Sequence, residues 1–261
     1  MHMIRSAVAL LVLGVFVPAQ SGADQAKAAA AEHEALAAAW KAETQASRDA
    51  QAKVRATDEF KAAQQAKDSE KMRELLGAVP RPDAKKMGEK ALALADQFGD
   101  DGVRFLAFAM QANDKEVAAG IVERVTKNHI KNPNLGELLE RPSGLLLAVS
   151  QADMEALLGK IAAENPSDQV KALAMYTQST LLTRGKPTEE QKQQAEALLA
   201  AAEKIATGDL ADRIAAPRFQ KERLQIGKEC PDIVGEDVDG VAFKLGDYRG
   251  KVVVLDFWGF W

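Results

Sequence analysis

From Asp24 to Leu76 the chain holds neither Pro nor Gly, and this absence constrains its fold more than any other feature. The stretch is built largely from Ala, Gln, Glu, Lys and Arg, the residues that lose least on entering a helix. Nine basic and ten acidic residues are interspersed along it, with Asp49 one turn ahead of Lys53 in the favourable order. Up to Lys71 its large apolar side chains are only Leu36, Trp40, Val54 and Phe60. Leu36 and Trp40 share a face, but no heptad seam is sustained, which argues against a coiled coil. The spacing predicts a long, loosely docked helix or a broken helical pair over residues 24–76. It would serve as a spacer, a weak self-association surface or a solvated arm.

The rest of the chain is also helical in pattern. Gly77 to Asp83, with Pro80 and Pro82, breaks the arm and reads as a hinge (linker 77–83). Amphipathic faces then recur across residues 84–210. They include Met87/Leu92/Ala95, Val103/Leu106, Val117/Ile121/Val125, Met154/Leu158/Ile161 and Ala195/Leu199/Ala202. Asp101-x-Val103-Arg104-x-Leu106-Ala107 returns as Asp168-x-Val170-Lys171-x-Leu173-Ala174, an offset of 67 residues. That is close to two units of about 34 residues, the tetratricopeptide period. Each Asp is expected to cap a helix N-terminus. The prediction is a stack of helical hairpins, of the kind that acts as a scaffold or docks a partner protein. Residues 211–226 are expected to be a connector.

Composition narrows the function. Acidic residues number 38 against 34 basic ones, so the chain lacks the cationic excess on which nucleic-acid binding depends. One cysteine in 261 residues excludes a disulfide-stapled miniprotein. His33 and His129 lie far apart without a second ligand at usable spacing, so no metal is expected, and no cofactor motif occurs. Residues 1–23 read as an export leader: Arg5, an apolar run Ala7–Val17 too short to span a bilayer, then small-residue cleavage sites after Ala19 and Ala23. Export to the periplasm or cell envelope is expected.

Near Ile226 the pattern changes. Ile233-Val234, the Asp239-Gly240 turn and Val241–Leu245 predict a β-hairpin. Lys251–Trp258 is apolar throughout except for its first residue and Asp256. A strand apolar on both faces belongs at the centre of a covered sheet. Nothing follows it here to provide that cover, so residues 227–261 are expected to be the start of a domain that is incomplete in this sequence.

These residues carry a resemblance. Gly227-Lys228-Glu229-Cys230-Pro231-Asp232, then Asp239-Gly240, then Phe243-Lys244-Leu245 and Asp247–Trp261, resemble the opening of a redoxin domain. This is the thioredoxin-like fold in its TlpA/ResA and peroxiredoxin (AhpC/TSA) branch. The order of leader, helical region and redoxin segment also resembles exported proteins of planctomycete-type bacteria.

The resemblance implies a mainly α chain ending in the N-terminal hairpin and first central strand of an α/β thioredoxin-like fold. It implies thiol–disulfide oxidoreductase activity on protein disulfides or thiol partners. A peroxiredoxin-like peroxidase and a non-catalytic helical scaffold are the alternatives. The Cys-x-x-Cys pair would directly follow Trp261, and it is absent from this sequence, so these residues alone should be inactive. Asp256 matches the buried proton acceptor beneath the dithiol, and Phe257, Trp258 and Trp261 match residues packed around the active-site turn. A carboxylate enclosed in an apolar strand bears a desolvation cost, and such groups often serve proton transfer. Cys230 stands where the family usually has a small residue, and it reads as a small buried hydrophobe.

Overall fold

A computed structural model describes residues 22–140, 142–256 and 258–259. The leader falls almost wholly outside the described residues, as do Phe257 and Trp261. The chain is mainly α and ends in a small β-hairpin.

The predicted arm is helical but not one rod. Helix α1 spans Gly22–Ala56. Thr57 then caps α2 (Asp58–Gln65), its Oγ1 accepting from the Phe60 N–H at 3.2 Å. Lys67 turns the chain at φ +55°, and Asp68 caps α3 (Ser69–Gly77). Both breaks use side-chain oxygens to satisfy N–H groups that have no partner within the helix. Nor is α1 loosely docked. Ala29 and Leu36 are buried, and Trp40 packs against the main core. The 77–83 linker is likewise pinned: Val79 is buried, and Ser47 donates to the Pro80 carbonyl at 2.9 Å.

The body of the stack contains α4 (Ala84–Gln97), α5 (Val103–Ala109), α6 (Lys115–Arg124) and α7 (Gly136–Leu139). It continues with α8 (Gln151–Glu164), α9 (Asp168–Leu182), α10 (Glu189–Glu203) and α11 (Gly208–Arg223). Starts are set by local chemistry: Asp83, Asp114, Ser150 and Ser167 cap α4, α6, α8 and α9. Thr188 and Gln191 form a reciprocal capping box on α10. A 3-10 turn at Gly99–Gly102 leads into α5, and a π-turn at Val125–His129 follows α6. The apolar faces read from the sequence converge on one core. Phe105, Leu106, Ile121, Leu138, Met154 and Leu158 are among its most enclosed side chains.

Two details correct the expectation. Neither repeated Asp caps a helix. Ser167 takes that place before α9, and Asp101 lies inside the 3-10 turn. Both instead pair with the base three residues on, Asp101 with Arg104 at 3.8 Å and Asp168 with Lys171 at 3.2 Å. The expected connector 211–226 is mostly helix, because burial of Leu210 and Ile214 anchors α11. Pro217 sits inside α11, where it removes one backbone donor without ending the helix.

The C-terminal hairpin forms where the turn chemistry places it. β1 (Val234–Glu236) pairs antiparallel with β2 (Ala242–Lys244), with Gly235 opposite Phe243. Asp237 Oδ1 accepts from the Asp239 and Val241 N–H groups at 2.9 Å each, and Gly240 adopts φ +78°. Among the described residues of Lys251–Trp258, the expected strand does not form. Among the described residues, 252–256 join no ladder, and backbone without a partner strand has no sheet to belong to.

Candidate functional site

The C-terminal segment carries every site residue predicted from sequence. Its order comes from short-range bonds. Asp232 Oδ1 accepts from the Gly246 N–H at 2.7 Å, tying the segment before β1 to the 3-10 turn Leu245–Tyr248. Leu245 N–H donates to the Ile233 carbonyl at 2.8 Å, extending the hairpin by one rung. The Phe243 ring lies over Gly235, where an added Cβ would stand 3.5 Å from it. The Lys251 ammonium lies 5.8 Å from the centre of the Tyr248 ring.

Asp256 does not occupy the buried position expected of it; it is exposed. The cause is the missing ladder. With no sheet over 252–256, Val252 and Val254 are 96% and 87% exposed, and nothing apolar closes over the carboxylate. Trp258 is 73% exposed rather than packed in a site. Phe257 and Trp261 lie outside the described residues. Cys230 is exposed too, contrary to the expectation of a buried hydrophobe. Among the described residues the predicted site is therefore not assembled.

A second arrangement was not legible in the sequence. His33 of α1 packs edge-on against Phe105 and Phe108 of α5, with ring centres 5.7 and 5.6 Å away. It borders a groove of about 910 Å³ lined also by Phe108, Met110, Glu137 and Glu140. Glu140 is held by a two-pronged pair to Arg213 of α11 (2.8 Å each), which raises the Arg213 pKa, and the guanidinium lies 5.5 Å from the Tyr176 ring centre. Between α6 and α4 Arg124 grips Asp96 at 2.7 and 2.6 Å and holds its carboxyl below the usual carboxylate range. No local spacing links His33 to residues about 70 to 110 positions away; only packing brings them together. Among the described residues, no group of three metal-binding side chains occurs, and no helix is long and apolar enough to cross a membrane.

No family model matches the chain, and no solved structure matches it. Over 41 residues it is 51% identical to the thiol-disulfide oxidoreductases ResA of Bacillus thuringiensis (strain Al Hakam) and Bacillus anthracis. Those matches take in 16% of this chain and 24% of each relative. ResA of Bacillus subtilis (strain 168) is 44% identical over 41 residues, 23% of its length. The chain thus spans about a quarter of the length of the curated relatives it matches. This short similarity supports, at most, a place among the thioredoxin-like redoxins.

Proposed function

We propose that the protein to which these residues belong is an exported thiol–disulfide oxidoreductase of the thioredoxin-like kind. In this reading residues 227–261 open the redoxin domain, and the helical stack docks a partner or tethers the domain in the cell envelope. The observation that carries the reading is the run from Gly227 to Trp261 together with the short, high identity to ResA proteins. The basic–apolar–small order of residues 1–23 supports export.

The chemistry needs two thiols. A thiolate attacks a substrate disulfide, a mixed disulfide forms and one substrate thiolate leaves; the second cysteine then displaces the other substrate sulfur. Cys230 is the one cysteine of this sequence and cannot complete that cycle within one chain. By resemblance, the pair follows the position of Trp261, and Asp256 accepts the proton of the second cysteine once a sheet encloses it.

Insulin-disulfide reduction tests this with the 261-residue chain and with the protein translated from the whole gene. The 261-residue chain should stay at background, and the whole protein should be active. In the whole protein Asp256→Asn should slow reduction about 10-fold or more, the range of proton-transfer groups, while Cys230→Ala leaves the rate nearly unchanged. Turnover by the 261-residue chain through Cys230, or a whole protein with neither a cysteine pair nor activity, would defeat the reading and leave a helical scaffold. Mass spectrometry of the mature N-terminus checks export: a start at Gln20 or Asp24 is expected, and an intact Met1 on a cytoplasmic product counts against it.

A further inference from the structure

The short segment after α6 joins two parts of the helical stack. Asn132 Nδ2 donates to the Asp100 carbonyl at 2.7 Å, in the turn that follows α4. From the other side, Asn165, between α8 and α9, donates to the carbonyls of Ile130 and Asn132, both at 2.8 Å. Its own Oδ1 accepts from the Ser167 N–H at 2.9 Å. Residues 130–132 are therefore clasped between the α4–α5 and α8–α9 layers, and all of these bonds run through buried asparagines.

His129 stands at the head of this clasp, as the last residue of the π-turn. It is 4% exposed, and its Nδ1 is enclosed without a hydrogen-bond partner. A neutral ring tolerates this, since one nitrogen simply carries an unused lone pair. An imidazolium does not, because both nitrogens then bear N–H groups and Nδ1 faces no acceptor. The charged groups around it are few. Asp96 comes from α4 and Asp100 from the 3-10 turn, and Arg124 of α6 engages both oxygens of Asp96. The His129 carbonyl accepts from the Asn132 N–H at 2.9 Å, which ties the residue to the clasp.

We propose that His129 is an acid-sensitive latch: the clasp between the two layers holds while its ring is neutral and opens when the ring takes up a proton. Burial lowers the affinity of His129 for a proton, and the opposing pull of Asp100 and Asp96 does not offset it. The closed form thus binds the proton less readily than the open form, in which the ring meets water. The clasp keeps its full stability above the ordinary histidine value of about 6.5 and loses it as pH falls below that value.

Hydrogen exchange of the amides of residues 129–134 and 165–170 tests this at pH 7.5 and 5.5, with rates corrected for the intrinsic effect of pH. Protection in the unaltered chain should drop at least about threefold at the lower pH. In His129→Gln it should be the same at both. Unchanged protection in the unaltered chain overturns the proposal. So does an equal loss in the variant, which would move the effect to Asp96 or Asp100. Should the variant fail to fold, NMR titration of the His129 ring in the unaltered chain decides. Titration below the free-histidine range supports the latch, and titration at or above that range refutes it.

Discussion

Phe105→Ala is expected to remove about 3–5 kcal/mol of folding stability, the usual cost of emptying a large aromatic site in a tight core. Phe105 has no exposed surface. Its ring stacks on Phe98 of the α4–α5 joint, with centres 5.5 Å apart and planes 17° from parallel. The edge of His33 from α1 meets it at 71°. Three separate stretches of the chain therefore share one ring, and the hole left by truncation would lie where they converge. Helix α1 should feel the loss most, because His33 is part of how its N-terminal half is fixed to the body. Urea unfolding should show a lower midpoint with little change in slope. A loss below about 1 kcal/mol would mean that the arm and body are not packed through this ring.

Asn165→Ala should cost about 2–5 kcal/mol, for a different reason. Asn165 is 1% exposed, and its side chain serves three backbone groups: the carbonyls of Ile130 and Asn132 and the N–H of Ser167. Alanine would leave these polar groups without their partner in a place water does not readily reach, and each such orphan costs about 1–3 kcal/mol. The Asn132→Ala change should not add to it in full, since both side chains hold the same clasp. A double-mutant cycle by urea unfolding measures this. Full additivity would show that the two asparagines act independently.

The apolar faces of the helices could be read directly from the chain, but the two caps expected from it, Asp101 and Asp168, are not caps. Ser150, Thr188 and Asp114 each precede an apolar face, and each caps the helix that follows. The Asp239-Gly240 turn was equally legible, because only certain residues support a positive φ at that corner. The helix that follows α10 through the 211–226 region was not. Pro217 and the lack of a bulky apolar face beyond Ile214 suggest a connector, yet α11 continues to Arg223. The candidate redoxin residues were legible as a pattern of types, but their placement was not. Burial of Asp256 depends on a ladder that residues 252–256 do not join here.

What the sequence determined by itself is local: propensity, caps, turn residues and the side of each helix that is apolar, all of which act over a few positions. The tertiary structure alone decided what those faces meet. It placed His33 against Phe105 and Phe108, pinned the linker through Ser47 and Pro80, and clamped Glu140 with Arg213. It also enclosed His129 without a partner for Nδ1. Each of these depends on residues far apart in the chain, and their proximity follows from the packing of whole helices rather than from any spacing along the backbone.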